Sequence, residues 1–412
     1  MGGSLDLTDL DNFRDGFPHA FFTRLRAETP VHWHEPTAHT PDGDGFWVLS
    51  RHADVVDAFR DPVTFSSETG GARVQGGTFL ADLPMAGKML NMMDDPRHRR
   101  IRGLVNRGFT PRVIGALEPE LRRRARSVVN GLGEAGESGE CDFVVDVARE
   151  LPLQAICMLL GVPQDRRAEL CDWADLGLEH QDRNLGESNE ASREATAKLM
   201  AFAQSLIDEK RERPGDDMLS IVIHAQLDDE EPNALTNEEL LFFYLLLFTA
   251  GSETTRKAIA GGLQELVAAP AQLAALRRDP ALWGTAVDEI VRWTTSSVYK
   301  RRTATRDTEL HGQKIRAGDK VTLWEMSANR DERVFEDPFR FDVARAPNPH
   351  VAFGWGVHRC LGANLARLEI RVMLEEVLTA WDEIEIVGPP EWTRDNRLFG
   401  LKHLPVRYRR AG

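Results

Sequence analysis

Apolar residues recur at helical spacing over most of the chain. The pattern predicts helices over roughly 18–28, 96–107, 111–131, 144–160, 164–178, 188–211, 236–268, 271–278, 281–293 and 360–380. Strand-like runs are short: Phe46–Ser50, Glu309–Leu310 with Gln313–Ile315, and Lys320–Trp324. They cluster near the N-terminus and in the C-terminal third. A mainly α fold follows, with a helical lobe drawn mainly from 90–293 and 360–380 and a small β lobe mainly from 30–65 and 295–325. No Pro/Gly/Ser-rich linker and no internal repeat divides the chain, so one domain over 1–412 is expected.

One predicted helix departs from the amphipathic norm. Thr236 and Glu239 form a capping box at its start. Leu240 to Phe248 is then apolar on every face, as in a helix running through the middle of a protein. Polar side chains break the run at Thr249-Ala250-Gly251-Ser252-Glu253-Thr254-Thr255. Polar groups at such a depth need partners or a purpose.

Composition narrows the function class. The chain has 412 residues, 42% of them hydrophobic and 28% charged, which describes an ordinary globular protein with room for an enclosed cofactor. A net charge of −14 argues against nucleic acid or an anionic membrane as a general partner. The longest apolar run is far short of the ~20 residues that cross a bilayer, and no secretory signal is read at Met1, so an unanchored cytoplasmic protein is expected. Four irregularly spaced cysteines suit a reducing compartment, with Cys141, Cys157 and Cys171 read as core thiols. Against the acidic background, Arg97 to Arg126 holds ten arginines and two glutamates. That run is either a solvated helix face or a docking patch for an acidic partner.

The sharpest chemical signal is Phe353-Gly354-Trp355-Gly356-Val357-His358-Arg359-Cys360-Leu361-Gly362. A glycine-rich turn delivers a cysteine to a predicted helix start, where backbone N–H groups and the helix dipole favour a thiolate. Cys360 and His358 are only two residues apart and lack an acid or amide partner, which disfavours a cysteine hydrolase.

This segment resembles the cysteine-ligand loop of the cytochromes P450. The resemblance implies the fold of that family, haem b (iron protoporphyrin IX) as cofactor and Cys360 as the iron's axial ligand. It implies that Phe353 packs by the sulfur, that Gly362 permits close approach of the haem and that His358 bonds a haem propionate. Ala250 to Thr255 resembles the family's oxygen-binding segment. There small Ala250 and Gly251 would leave a groove for O2, and Thr254 with Glu253 would position water and relay protons. Glu289-Ile290-Val291-Arg292 resembles the family's buried charge pair, which a third arginine completes; Arg345 and Arg340 both qualify, with Arg345 preferred. His98 and Arg102, one helical turn apart, and Arg302 match further propionate ligands. The four motifs stand in family order from about residue 45 onward.

The reaction so implied is a monooxygenation, hydroxylation or epoxidation, of a largely apolar small molecule. No flavin domain or iron–sulfur cysteine cluster is read in the chain, so electrons are expected from a ferredoxin and a ferredoxin reductase using NAD(P)H. Oxidative coupling or desaturation without oxygen insertion is the alternative within the class, and a haem gas sensor or ligand carrier the alternative outside it. The nearest look-alikes oxidise sterols, terpenes and lipids and often carry a Thr-Pro-Val type segment after the charge pair. This chain has Ser296, Ser297 and Val298 there, which suggests a substrate with oxygen or nitrogen near that wall. Ser66–Leu90 and Asp172–Ser188 are read as the roof of the pocket.

Overall fold

The computed structural model describes residues 5–178, 185, 187–226 and 233–412. A helical body is built around the 32-residue helix Asn237–Ala268, about 48 Å long at 1.5 Å per residue. Its start is fixed as the sequence indicates: the Glu239 N–H donates to Thr236 Oγ1 at 3.2 Å, and the Thr236 N–H donates to Glu239 Oε2 at 2.8 Å. Around it pack Glu150–Leu160, Glu190–Glu212, Trp283–Thr294 and Ala363–Ala380, which explains why its middle is apolar all round.

The β lobe is a five-stranded sheet in spatial order Val31–His34, Phe46–Leu49, Lys320–Trp324, Tyr299–Ala304 and Phe65–Ser66. Phe46–Leu49 runs parallel to Lys320–Trp324, and the other pairs are antiparallel. Helix His52–Arg60, absent from the sequence-based expectation, follows the second strand and packs beneath the cysteine loop. A three-stranded sheet of Ser138–Asp142, Pro405–Arg410 and Trp381–Ile386 was also not expected. It ties the C-terminus to the helical body, with Trp381 stacked on Tyr408 at 4.2 Å between ring centroids.

Two predicted helices are interrupted for local reasons. Residues 111–131 divide into Pro111–Gly115 and Glu118–Asn130, the second carrying Pro119 in its first turn, where a missing N–H costs nothing. Residues 144–160 open as a π turn, Val144–Ala148, with the Arg149 N–H reaching Val144 O at 3.0 Å. Pro152 has no N–H to donate to Ala148, and its ring crowds that carbonyl, so the regular ladder settles only from Glu150 onward. The roof segment Asp172–Ser188 lies partly outside the described residues; helix Arg167–Leu178 covers its beginning. Among the described residues, no single helix is long and apolar enough to cross a membrane.

Candidate active site

The cysteine loop is shaped by its glycines. Gly354 and Gly356 adopt φ of +65° and +68°, a region that penalises any side chain, and a Cβ at Gly356 would lie 2.6 Å from Phe59 O. The Gly354 N–H donates to Val351 O (2.7 Å) and the Cys360 N–H to Phe353 O (2.8 Å), closing the loop on itself. The helix begins at Ala363, later than the expected 360, because Cys360 to Gly362 remain in the turn. Enclosure raises the Cys360 thiol pKa, while the Gly362 N–H bonded to the sulfur and the nearby Lys300 and Arg102 charges favour the thiolate. The thiol faces a cavity of about 570 Å³. Phe353 lines the same space and carries the Arg367 guanidinium over its ring, 4.6 Å from the centroid.

Four donors converge on this cavity, and among the described residues only His98 meets a carboxylate, Asp95. His98 and His358 lie 4.1 Å apart between ring centroids, and the Nε2 of each is buried without a hydrogen-bond partner among the described residues. Burial, then the adjacent Arg302, His98 and Arg102, drives the His358 pKa down to about 2. Burial also lowers His98, with Asp95 opposing it from 3.3 Å. Arg302 donates to Arg301 O and sits over the Phe59 ring; burial brings its pKa to about 10, with Glu325 and Asp94 opposing only at a distance. Arg102 donates to Arg359 O and is likewise lowered by burial. Enclosed cations and orphaned imidazoles on one rim require an anionic ligand. A flat dianion seated on the Cys360 thiol satisfies them, so these residues fit haem. Gly362 also fits, since a Cβ there would meet no protein atom within 4 Å.

The central helix closes the cavity opposite the loop. Ala250, Gly251, Glu253 and Thr254 line it, and Thr254 Oγ1 donates back to Ala250 O at 2.9 Å. The absence of a side chain at Gly251 serves helix packing, since a Cβ would lie 2.9 Å from Ile156 Cδ1. Glu253 is engaged in a way the sequence reading did not foresee: buried Lys257, one turn along, donates to Glu253 Oε1 and to Leu398 O, both at 2.6 Å. The i, i+4 spacing was visible, but not the burial of both groups.

Of the proposed substrate wall, Ser296 and Ser297 line the cavity. Ser296 Oγ is buried without a partner, whereas Ser297 Oγ accepts from Lys300 Nζ at 2.6 Å. Val298 does not belong to the wall. It is fully buried in an apolar cluster with Phe22, Trp324 and Phe399, held there by its N–H bond to Arg397 O at 2.8 Å. The glycine-rich Ser66–Leu90 segment supplies Phe79, Leu83, Met85 and Met89 to the cavity. Arg397 also lines it, a residue that the sequence reading did not single out.

Behind the loop, Glu289 and Arg292 are both 0% exposed and paired through two 2.7 Å bonds. Arg345 Nε reaches the same carboxylate at 3.1 and 3.2 Å, whereas Arg340 turns outward to Asp342 at 3.4 Å. Despite its burial, these bonds hold Glu289 below the usual carboxylate range.

Comparison with known proteins agrees with this geometry. Residues 282–408 match the family model described as Cytochrome P450. Over 406 residues the chain is 53% identical to cytochrome P450 126 of Mycobacterium tuberculosis, covering 98% of this chain and 97% of that one. It is 40% identical over 410 residues to the methyl-branched lipid omega-hydroxylase of the same species, covering 98% and 93%. A Mycobacterium marinum cytochrome P450 solved in complex with pseudoionone superposes with a TM-score of 0.85 at 36% identity, covering 94% of each chain. The chain therefore belongs to the cytochrome P450 family and is a monooxygenase with haem b as its cofactor.

Proposed function

We propose that this enzyme inserts one oxygen atom of O2 into a largely apolar small molecule, by hydroxylation or epoxidation, using electrons from a ferredoxin and its NAD(P)H-dependent reductase. The observation that carries the reading is the cavity over Cys360, where a mostly apolar wall is broken on the central-helix side by Glu253 and Thr254. Haem would supply the O2 activation, and Cys360 would hold its iron as a thiolate. His98, Arg102, Arg302 and His358 would hold its carboxylates, Phe353 would pack by the sulfur, and Ala250 and Gly362 would leave it room. Thr254 spends its proton on Ala250 O, so its oxygen lone pairs remain to accept from a water in the cavity. Glu253 holds a carboxylate one residue away, and Lys257 fixes where that carboxylate rests.

Apolar substrates suit the wall, and two relatives agree: one is named for methyl-branched lipids, and the other holds pseudoionone. A terpenoid, steroid-like or other specialised metabolite is the substrate class. The docking face for the ferredoxin is narrower than ten arginines imply, because Arg122, Arg124 and Arg126 bond Glu118, Glu120, Glu375 and Glu376. Arg107, Arg112 and Arg359 remain exposed, as do Trp355 and Val357, which precede Arg359 in the cysteine loop. An acidic partner would be drawn to that patch. Four free cysteines fit a cytoplasmic setting.

The test is turnover with ferredoxin, reductase, NADH and isotopically labelled O2 across terpenoid, steroid and lipid probes. A product carrying one labelled oxygen is expected. A product lighter by two hydrogens would favour coupling or desaturation, and gas binding without any turnover would favour a sensor or carrier.

A further inference from the structure

The cavity wall carries a cation that no described residue neutralises at contact distance. The Arg397 guanidinium lies over the Phe79 ring, 3.6 Å from its centroid, and makes no hydrogen bond or ion pair with any described residue. Burial pushes its pKa down, with Asp395, Tyr299 and Glu253 opposing only through space. Those carboxylates are engaged elsewhere: Asp395 Oδ1 accepts from the Arg397 and Leu398 N–H groups at 2.6 and 3.0 Å, and Glu253 Oε1 accepts from Lys257. Two hydroxyls share the predicament. Ser296 Oγ and Thr78 Oγ1 are buried, line the same cavity and have no partner among the described residues.

Backbone bonds hold the three in one wall. Val298 N–H donates to Arg397 O (2.8 Å), Phe399 N–H to Ser296 O (2.9 Å) and Arg301 N–H to Thr78 O (3.1 Å), while Phe79, next to Thr78, stacks on Arg397. Leu398 O accepts from Lys257 of the central helix, so this wall abuts the side of the cavity that carries Glu253. His98, Arg102, Arg302 and His358 form a separate rim, whose two arginines the haem carboxylates would match. Arg397 is left over from that balance.

A half-buried guanidinium facing the cavity without a counter-charge, beside two buried hydroxyls without partners, is a site that a ligand would complete. An alcohol or ketone can accept a hydrogen bond from this wall but brings no compensating charge. A carboxylate supplies both the charge and enough lone pairs for the guanidinium fork and the two hydroxyl donors. We propose that Arg397, Ser296 and Thr78 form a carboxylate subsite, and that the substrate class is an apolar carboxylic acid anchored there while its hydrocarbon body extends through the apolar cavity. The proposal rests on the monooxygenase reading only in taking this cavity as the substrate's.

The test is a spectral binding titration of the haem-loaded enzyme with two matched pairs: hexadecanoic acid and its methyl ester, and cholanoic acid and its methyl ester. In at least one pair the wild type should bind the acid ~10-fold or more tightly than the ester, the scale of a charge-assisted contact. Arg397→Gln should bring that ratio to about one, while Arg397→Lys should retain part of the preference because it keeps the charge without the fork. The carbon monoxide spectrum of each variant reports an intact site. Failure of both acids to bind in preference to their esters, failure to bind at all, or a preference that survives in Arg397→Gln would overturn the subsite. Oxygenated esters without acid preference would do so while leaving the monooxygenase standing. A wild-type enzyme that oxygenates none of the terpenoid, steroid and lipid probes would remove that reading instead.

Discussion

Glu289→Gln tests how the cysteine loop is held in place. The Glu289 carboxylate accepts from Arg292 Nε and Nη2 at 2.7 Å, from Arg345 Nε, from Asn348 Nδ2 at 3.2 Å and from the Asp342 N–H at 2.9 Å. A glutamine keeps one acceptor oxygen, turns an N–H2 group toward guanidinium donors and leaves two arginines without their counter-charge. Arg330 is also fully buried nearby, its pKa held well down by burial and then by Arg292, and Glu289 is one of the two carboxylates, with Glu265, that oppose this. Removing one member of a buried pair costs about 3–5 kcal/mol, against a net stability of roughly 5–15 kcal/mol for a folded protein. The damage should reach the haem site. Arg292 donates to Asn329 O and Arg345 to Glu336 O, while Asn329 Oδ1 accepts from the Val351 N–H at the root of the loop. Urea unfolding of the apoprotein, followed by circular dichroism, should show that loss, and the haem-loaded variant should release haem faster. Arg340→Gln is the control: its side chain is 63% exposed and among the described residues reaches only Asp342, so its stability should stay within about 0.5 kcal/mol of wild type. A Glu289→Gln loss under about 1 kcal/mol, or an equal loss in Arg340→Gln, would refute the reasoning.

Thr254→Ala should keep substrate binding and NADH consumption but divert electrons to peroxide, read as product formed per NADH; unchanged coupling would remove Thr254 from the proton path. Reversing charge at Arg107 and Arg112 should slow reduction by an acidic ferredoxin and flatten its salt dependence, because attraction between exposed charges is screened over about 10 Å at 0.1 M salt. A wild-type rate at low ionic strength would place the docking face elsewhere. His19, pushed to about 3 by burial and then by Arg330 and Arg26, stays uncharged in the folded protein, whereas the unfolded chain binds a proton below its ordinary value of 6.5. The unfolded state thus holds the extra proton between those values, so this contribution to stability is complete above about pH 6.5 and is lost progressively as pH falls toward 3. His19→Gln should shrink the fall in urea midpoint between about pH 7 and pH 5, and an unaltered fall would deny His19 that role.

What the sequence disclosed follows from where its constraints are local. Gly354 and Gly356 were legible because a left-handed turn that also presses on Phe59 O leaves its mark as residue type. The capping box at Thr236 and the all-round apolar run after it are likewise local. The strands Trp381–Ile386 and Pro405–Arg410 do alternate, Ile384 and Ile386 against Glu383 and Glu385, and Val406 and Tyr408 against Arg407 and Arg409, but over only six residues each, and Ser138–Asp142 is short and polar. The arginine run looked more exposed than it is, since Glu375 and Glu376, which neutralise Arg122 and Arg126, lie some 250 positions away in sequence. Arg397 drew no notice for a related reason. Its significance is the lack of a contact partner inside an enclosed wall, and that is visible only once the chain is folded.

The most direct measurement of the central claim is the absorption spectrum of the reduced, haem-loaded protein with carbon monoxide. Cys360 lines the cavity and Cys141, Cys157 and Cys171 do not, and burial pushes those three up to about 12. Thiolate ligation by Cys360 predicts the red-shifted Soret band of a haem thiolate in the wild type and in serine variants at the other three positions, and its loss in Cys360→Ser. An imidazole-type band in the fresh wild-type protein, or a thiolate band that persists in Cys360→Ser, would contradict it.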